Sequence, residues 1–236
     1  MGWIWGWHPV QAALANSART ELQRLVATQD RAAELQRRFG RDRLETLAVL
    51  EPAGIAQLLP PGAVHQGAAM LAPPLEPLAL EELAEPARGV LLMLDGITDP
   101  QNVGAIFRSA AAFGAKGVVL QDRHAPPLTG ALAKAAAGAV EAVPHARVVN
   151  LSRALEKLAD LGWRAVGLAG EADETLDQVL DGRASVLVLG SEGEGLRRLV
   201  AEHCDALGRI AMPGGFESLN VSAAAAVALY EAVRGR

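Results

Sequence analysis

The chain lacks the features of an extracellular, metal-binding or membrane protein. Its 236 residues include one cysteine, Cys204, which cannot form an intramolecular disulfide and provides no cluster of metal ligands. We expect this thiol to be buried and unreactive. No apolar run reaches the roughly 18 residues of a membrane span. Residues 1–6 also lack the basic start and apolar core of a signal peptide. These absences favour a cytoplasmic protein without a metal ion or a membrane anchor.

Charge is unevenly distributed along the chain. A net charge of -5 argues weakly against a polyanionic partner, but residues 1–50 contain seven arginines, no lysine and five acidic residues. The arginines are Arg19, Arg24, Arg31, Arg37, Arg38, Arg41 and Arg43. Arginine suits phosphate contacts because its planar guanidinium donates two hydrogen bonds at once. From charge alone, a solvated helix face is slightly favoured over a surface that contacts phosphate groups.

A segment rich in proline and glutamate divides the sequence. Residues 71–88 contain four prolines and four glutamates, which is typical of a linker, and a short helical turn is predicted at residues 80–83. We therefore predict a small α/β domain at residues 1–71, a linker at 72–88 and a larger domain at 89–236. In the small domain the pattern predicts helices at residues 8–17 and 30–39 and strands at 22–27, 46–50 and 68–71.

Strands and helices alternate in the larger domain. Strands are predicted at residues 89–94, 117–120, 164–168, 185–189 and 206–210, and helices at 102–113, 129–137, 151–161, 196–203 and 218–233. Continuous apolar strands such as residues 186–189 are typical of a parallel sheet that is covered on both faces. Ligands usually bind at the carboxyl ends of such strands. The loops that follow the strands are therefore the candidate site.

The first candidate loop, residues 95–104, contains Asn102 and leads into a helix that carries Arg108. A lone arginine on an otherwise apolar helix is costly unless it is paired or used, although a surface arginine whose stem packs on the helix is the alternative. Asn102 and Arg108 are six residues apart and do not share a helix face. A common site would require Asn102 to lie in the loop or first turn, with Arg108 reaching back.

The second and third loops are rich in glycine and polar residues. Residues 190–195 (Gly-Ser-Glu-Gly-Glu-Gly) lack the Gly-Lys-Ser/Thr ending of a P-loop, and Arg198 occupies the third glycine position of a dinucleotide-binding fingerprint. The glycines still allow the backbone to approach a ligand closely, and Glu192 either accepts hydrogen bonds there or solvates the turn. Residues 210–222 place Ser218 and Asn220 ahead of an apolar helix, with more polar residues than a helix cap requires.

Together the three loops resemble the three motifs of the SpoU (TrmH) branch of the SPOUT RNA methyltransferases. Residues 95–110 (Asp-Gly-Ile-Thr-Asp-Pro-Gln-Asn-Val-Gly-Ala-Ile-Phe-Arg-Ser-Ala) resemble motif 1, residues 189–196 motif 2 and residues 210–222 motif 3, in the family's order and spacing. Residues 6–10 (Gly-Trp-His-Pro-Val) and 65–67 (His-Gln-Gly) are similar to signatures of the RNA-binding domain of ribosomal RNA 2′-O-ribose methyltransferases.

The resemblance implies a fold and an activity. The fold would be a mostly parallel α/β domain with a deep trefoil knot, preceded by a small α/β domain that is similar to a ribosomal protein and binds RNA. The activity would be methyl transfer from S-adenosyl-L-methionine to a guanosine ribose 2′-hydroxyl in 23S ribosomal RNA, by a homodimer. Cofactor contacts carry over to Gly190, Ile210 and Leu219, with Met212 as a further candidate. The implied catalytic set is Asn102, Arg108, Glu192, Ser218 and Asn220.

The role implied for Arg108 raises a chemical question. A guanidinium has a pKa above about 12 and accepts no hydrogen bond, so it is a poor base. Either Arg108 is deprotonated in a special site, or it grips a substrate phosphate that takes the proton of the 2′-hydroxyl. We favour the second, because it uses arginine as a fork for phosphate. Asn102 and Glu192 would then orient Arg108 or the ribose.

Two departures from the family pattern lie in the third loop. Ala211 replaces a proline that is frequent in relatives, with Pro213 two residues later, and Glu217 adds a negative charge where serine is frequent. Neither removes a catalytic candidate.

Alternatives also exist for the amino-terminal domain and for the function. Two roles are open for the three tryptophans Trp3, Trp5 and Trp7: they stack on RNA bases, or they pack within the small domain. We favour packing. Residues 65–66 are equally compatible with a loop and with an RNA contact. The two-domain layout favours ribosomal RNA over transfer RNA. One alternative is an enzyme that acts on transfer RNA or on another ribosomal site. The other is an RNA-binding assembly factor whose catalysis is dispensable.

Overall fold

The structure is a computed structural model, and it describes residues 1–40, 42–214 and 218–234. Arg41 and Glu217 therefore lie outside the described residues. The strands are β1 (Gly2–Trp5), β2 (Arg24–Ala27), β3 (Leu47–Val49), β4 (Ala68–Ala72), β5 (Val90–Leu94), β6 (Gly117–Gln121), β7 (His145–Val148), β8 (Arg164–Leu168), β9 (Ser185–Leu189) and β10 (Ala206–Gly208). The helices are α1 (Trp7–Ala15), α2 (Gln29–Phe39), α3 (Pro52–Ala56), α4 (Leu80–Ala84), α5 (Pro100–Ala112), α6 (Gly130–Ala136), α7 (Leu151–Asp160), α8 (Leu176–Val179), α9 (Arg198–Glu202) and α10 (Val221–Val233).

The chain packs into two compact units. One contains Met1–Glu76 together with Pro127–Ala142, and the other contains Pro77–Pro126 together with Val143–Arg236. A short segment from the second half of the sequence, which includes α6, thus packs with the amino-terminal part. The predicted functional division into an RNA-binding domain, a linker and a catalytic domain stays a prediction.

The first unit is built on a small mixed sheet of order β1-β4-β2-β3. Strand β4 pairs antiparallel with β1 and β2, whereas β2 and β3 are parallel. Trp5 and Trp7 are only 8% and 9% exposed, which confirms the predicted packing of these two rings, whereas Trp3 is half-buried against the same core. Helix α2 ends before Gly40, whose φ of 74° a residue with a side chain rarely adopts.

The second unit is a six-stranded sheet of order β10-β8-β9-β5-β6-β7, and every neighbouring pair of strands is parallel. This confirms the predicted parallel sheet. The central strands β5 and β9 are buried along their whole length, as their continuous apolar sequences require. Their register pairs Leu94 with Leu189, so the first and second loops leave the sheet side by side. The Asp95 backbone N–H also donates to the carbonyl of Leu189 (2.8 Å).

Several elements differ from the sequence-based expectation. Helix α10 begins at Val221 rather than at residue 218, because the Asn220 side chain accepts a hydrogen bond from the Ser222 backbone N–H (3.0 Å) and caps the helix. The strand β7 and the short helices α3 and α8 were not predicted. The turn predicted at residues 80–83 forms α4, whose Leu83 is buried in the core of the second unit. None of the helices in the described ranges combines the length and apolar character that a membrane span requires.

Candidate active site

Loops at the carboxyl ends of β5, β8, β9 and β10 meet at one edge of the parallel sheet. An open cavity of about 680 Å³ lies there, a volume that is typical of a small-molecule site. Its lining comprises Leu168, Ala169, Gly170, Glu171, Leu189, Gly190, Ser191, Glu192, Gly193, Gly195, Gly208, Arg209, Ile210, Met212, Ser218, Leu219, Asn220, Val221 and Ala224. The four cofactor-binding candidates, Gly190, Ile210, Met212 and Leu219, all belong to this lining.

Three of the predicted catalytic side chains are joined by hydrogen bonds. The Asn220 Nδ2 donates to Glu192 Oε1 (2.7 Å) and to Asn102 Oδ1 (2.9 Å). The Asn102 Nδ2 donates in turn to Glu192 Oε1 (3.3 Å). These residues are 90 and 28 positions apart from Glu192 along the chain, so only the fold brings them together. One side chain from each of the three motif loops therefore contributes to one polar cluster at the cavity.

Glu192 is the acceptor that holds this cluster together. Its Oε1 accepts from Asn102, from Asn220 and from the backbone N–H of Val221 (3.3 Å). Asn220 is oriented from its other side, because its Oδ1 accepts from the Ser222 backbone N–H (3.0 Å) and the Ser222 hydroxyl (2.5 Å). The sequence left two interpretations of Glu192, a hydrogen-bond acceptor or a residue that solvates the turn. The structure supports the acceptor.

The second loop closes into a tight hairpin, and Gly190 makes this closure possible. The Ser191 N–H donates to the Gly195 carbonyl (3.1 Å), and the Gly195 N–H donates to the Ser191 carbonyl (3.0 Å). A Cβ atom at Gly190 would lie 2.1 Å from the carbonyl carbon of Gly195, a distance that real Cβ atoms do not adopt. Only glycine therefore fits at this position, and the hairpin holds Glu192 at the edge of the cavity.

The remaining two catalytic candidates are placed differently. Ser218 is exposed and lines the cavity. Arg108 lies exposed on α5, does not line the cavity, and forms no hydrogen bond or ion pair with the part of the chain that the structure describes. Asn102 sits in the first turn of α5, as a shared site would require, but Arg108 does not reach back to it within one chain. The catalytic role of Arg108 stays a prediction.

A fourth loop contributes to the cavity and was missed from the sequence. Leu168, Ala169 and Gly170 follow β8 and line the cavity together with the exposed carboxylate of Glu171. The loop beyond them is held by Arg209, whose guanidinium donates to the carbonyls of Ala172 (2.6 Å) and Asp173. The position of this loop could have indicated it, because it also follows a predicted strand of the parallel sheet, where ligands usually bind.

The thiol of Cys204 lies outside the lining of the cavity. Burial, with smaller contributions from nearby carboxylates, raises the pKa of the Cys204 thiol to about 12, so the reactive thiolate is scarce at neutral pH. Cys204 is half-buried rather than buried as expected, but its raised pKa agrees with the unreactive thiol expected from the sequence. Within the described ranges, no three His, Cys, Asp or Glu side chains are grouped so that they could hold a metal ion.

Comparisons with known proteins agree with the three motifs. Residues 89–230 match the model of the SpoU rRNA Methylase family. The 23S rRNA (guanosine-2′-O-)-methyltransferase RlmB of Pseudomonas aeruginosa is 47% identical over 178 residues, which cover 73% of this chain and 72% of that protein. The RlmB of Pseudomonas putida is 39% identical over 247 aligned positions, covering 99% of this chain and 96% of that protein.

The fold is shared with solved structures as well. The SpoU methyltransferase AviRb from Streptomyces viridochromogenes, crystallised in complex with the cofactor AdoMet, superimposes with a TM-score of 0.81 at 24% identity. The match covers 99% of this chain and 89% of that chain. The resemblance of the three loops to the SpoU motifs is thereby confirmed, and the chain belongs to the SpoU rRNA Methylase family.

Proposed function

We propose that this protein transfers a methyl group from S-adenosyl-L-methionine to the ribose 2′-hydroxyl of a guanosine in 23S ribosomal RNA. The observation that carries the proposal is the Asn102–Glu192–Asn220 cluster at the rim of the 680 Å³ cavity. The relatives named RlmB supply the substrate class. Ribosomal RNA as substrate implies that the reaction takes place in the cytoplasm.

The cavity fits the proposed cofactor by volume and by chemistry. Apolar side chains such as Leu189, Ile210 and Leu219 can pack on a flat adenine, while Gly193 and Gly195 leave the space beside their Cα atoms open and expose backbone groups. Two carboxylates, Glu171 and Glu192, line the cavity together with the guanidinium of Arg209, which donates to the Ala172 carbonyl. The carboxylates suit a ligand that carries positive charge. When bound, S-adenosyl-L-methionine supplies a methyl group on a positively charged sulfur.

The residues of this chain then have positioning roles. The Asn102–Glu192–Asn220 cluster fixes two amide groups at the rim, where they can orient the ribose, and Ser218 offers a hydroxyl beside them. Arg108 grips a phosphate of the substrate, and that phosphate takes the proton of the 2′-hydroxyl as the oxygen attacks. In-line placement of the attacking oxygen supplies much of the rate, because the methyl group is already activated.

A second copy of the chain is part of the proposed enzyme. Helix α10 packs on α5 and α8, yet Val227 and Tyr230 on α10 are 40% and 54% exposed. Arg108 on α5 is also exposed and unpaired within the described residues. A homodimer that covers this face would bury the apolar side chains and would give Arg108 a defined environment. In this proposal α10 is the segment that passes through the family's trefoil knot.

The experiment that tests the function is a mass spectrometric map of 2′-O-methylated nucleotides in 23S rRNA. Wild-type protein with S-adenosyl-L-methionine should add one methylated guanosine to an unmodified transcript. Arg108→Ala should lower methylation by about a hundredfold or more, since a misplaced reacting group alone costs this much, while the Kd for the cofactor changes little.

The methylation map and the Arg108→Ala variant also distinguish the proposed function from its alternatives. Methylation of transfer RNA, or of another ribosomal position, would replace the proposed substrate. Tight RNA binding by the wild-type protein without any methyl transfer would indicate an assembly factor with dispensable catalysis. Full turnover by Arg108→Ala would rule out the role assigned to Arg108.

A further inference from the structure

A buried carboxylate holds an arginine beside the proposed active site. The Asp95 side chain has no solvent exposure, and its Oδ2 accepts from the backbone N–H of Arg197 (2.9 Å). Its Oδ1 accepts from Arg197 Nε (2.6 Å), a short charge-assisted hydrogen bond. Asp95 begins the first motif loop, and Arg197 follows the hairpin of the second. The pair therefore fixes the direction of the Arg197 guanidinium relative to both loops.

The outer part of that guanidinium is weakly held. The Arg197 side chain is 52% exposed, and among the residues that the structure describes its Nη2 donates only a long hydrogen bond, to Gln121 Oε1 (3.4 Å). Asp95 is contacted by the Nε of Arg197, whereas the Nη2 contacts Gln121 instead.

Arg197 faces a second cavity, of about 380 Å³, at the carboxyl ends of β6 and β7. The lining comprises Gln121, Val149, Asn150, Leu151, Ser152, Arg197, Arg198, Leu199 and Val200, with two guanidinium groups and no carboxylate among them. Val149 and Leu199 are 75% and 55% exposed and offer apolar surface at its edge.

Hydrogen-bond donors dominate this second cavity. The Asn150 Oδ1 is occupied as the cap of α7, where it accepts from the Arg153 backbone N–H (3.1 Å), which leaves the Nδ2 donors without a partner in the described part of the chain. The Ser152 hydroxyl likewise donates to no described residue. Arg198 is paired with Glu202 (2.7 Å) but still presents a charge to the cavity. Such a set is complementary to an anion with several acceptor oxygens.

We propose that this cavity binds a phosphate of the substrate RNA that flanks the methylated nucleotide, and that Arg197 grips it in the orientation set by Asp95. The inference rests on the proposed function, since it takes RNA as the substrate. Arg197 is five residues from Glu192, and that length of chain spans at most about 18 Å. The phosphate would therefore lie within a few nucleotides of the reacting ribose, and exposed Val149 and Leu199 would pack against an adjacent base.

The test measures RNA affinity without turnover. A 23S rRNA transcript is titrated with full-length protein at several salt concentrations, and the Kd for S-adenosyl-L-methionine is measured by calorimetry in parallel. The double variant Asp95→Asn/Arg197→Gln keeps a neutral hydrogen-bonded pair and avoids a buried unpaired charge. It should bind RNA roughly tenfold to a hundredfold more weakly, the value of one hydrogen bond to a charged group. The salt slope should fall by about 0.7 to 0.9, as expected when the protein neutralises one phosphate fewer.

Two further variants make the result specific. Arg88→Ala removes an exposed arginine that precedes β5, at the opposite edge of the sheet, and it should leave the RNA affinity unchanged. Arg197→Lys keeps the charge but removes the planar fork, so it should weaken RNA binding with the cofactor Kd intact, even if the double variant fails to fold.

The outcomes separate this inference from the proposed function. Unchanged RNA affinity and salt slope in both Arg197 variants would overturn the phosphate site, as would weaker cofactor binding without any change in the salt slope. A wild-type protein that neither binds nor methylates the transcript would instead overturn the proposed function.

Discussion

Glu192 shows how much of the site depends on one oxygen atom. A single carboxylate oxygen accepts from two amide side chains and one backbone N–H, and the amides come from different loops. Because Glu192 is solvent-exposed, each bond contributes little stability on its own. The effect of the cluster is geometric, since it limits the rotamers of Asn102 and Asn220 at the cavity rim. Loss of the acceptor should therefore affect the rate more than the fold.

A pair of substitutions at Glu192 tests this view. Glu192→Gln keeps an acceptor oxygen within reach of both amides, whereas Glu192→Ala removes it. We expect Glu192→Ala to lower kcat by about a hundredfold, as misplacement of reacting groups does, and Glu192→Gln to lower it far less. Single-turnover methylation at saturating cofactor measures the difference. Equal reductions in the two variants would mean that the negative charge, and not the hydrogen bonding, is what matters.

Sequence motifs predicted which residues line the cavity, but not which of them touch. Gly190, Ile210, Met212 and Leu219 were identified from their motif positions, and all line the cavity. The Asp95–Arg197 contact was not predicted, because its partners are 102 positions apart and neither belongs to the motifs' catalytic set. Pairing across such a distance depends on the β5–β9 register, which a single sequence does not contain.

Secondary structure was predictable where the hydrophobic pattern is long. The strands β8 and β9 were predicted with the bounds they have, since β9 is buried along its whole length and β8 has a buried apolar centre, residues 165–167. Strand β7 was missed, because His145 and Arg147 interrupt its apolar pattern. Helix α8 has four residues, too few for a helical period, and it is held by a capping box between Thr175 and Gln178.

A buried ion pair fastens the segment that contains α6 into the first unit. The Arg19 guanidinium donates to both carboxylate oxygens of Glu141 at 2.8–3.0 Å and to the carbonyl of Pro73 (2.7 Å), while Asn16 Nδ2 donates to Glu141 Oε2 (2.8 Å). The two charged side chains are 2% and 4% exposed. Arg19 is therefore a structural residue, and it is removed from the candidates for RNA contact.

Removal of one member of this pair should be strongly destabilising. Glu141→Ala leaves the Arg19 charge buried without a partner, and we expect the free energy of unfolding to fall by about 3–5 kcal/mol in urea titrations. The matched control is Glu34→Ala, which breaks the half-exposed Arg31–Glu34 pair in the same unit and should cost less than about 1 kcal/mol. A similar small decrease in both variants would contradict the structural role of the buried pair.

His145 makes the stability of the second unit dependent on pH. Burial in β7, together with the charge of Arg147, lowers the pKa of His145 from 6.5 to about 4. Below pH 6.5 the unfolded chain binds a proton that the folded chain does not, so stability is full above that pH and falls as the pH drops towards 4. At pH 5 the expected loss is about 2 kcal/mol.

The comparison that isolates this effect uses His145→Gln. Urea unfolding of both proteins at pH 7.5 and pH 5 should show that the variant loses less stability than the wild type over this interval. Parallel decreases would mean that other groups account for the whole acid sensitivity.

The composition of the sequence does not fully predict how the chain divides into its two compact units. The chain passes from the first unit to the second between Glu76 and Pro77, within the proline-rich residues 71–88, but nothing in the composition of residues 127–142 indicates that they pack with the first unit. Deletion of residues 1–71 would remove β1 and α1, on which α6 packs. A truncation experiment would thus confuse weaker RNA binding with a damaged fold, so tests of RNA binding should use point variants of the full chain.

Arg37 and Arg38 are the best candidates in the first unit for contact with RNA. Arg43 donates to the carbonyls of Leu14 (3.1 Å) and Asn16 (2.9 Å), so it caps α1 and serves the fold as Arg19 does. Arg37 and Arg38, in contrast, are exposed in the last turn of α2 and form no ion pair with the described residues. Arg24 at the start of β2 is exposed as well, so the proposed RNA-binding role of this unit depends on these three arginines.

The double variant Arg37→Ala/Arg38→Ala should weaken binding to a 23S rRNA transcript and reduce the salt slope by up to about 2, one unit for each phosphate that the protein no longer neutralises. The Kd for S-adenosyl-L-methionine should not change, because its proposed cavity lies in the other unit. Arg88→Ala/Lys116→Ala removes two positive charges at the amino-terminal edge of the parallel sheet and serves as the matched control. If both double variants weaken RNA binding equally, the effect is net charge alone. If neither weakens it, the first unit does not bind the RNA through α2.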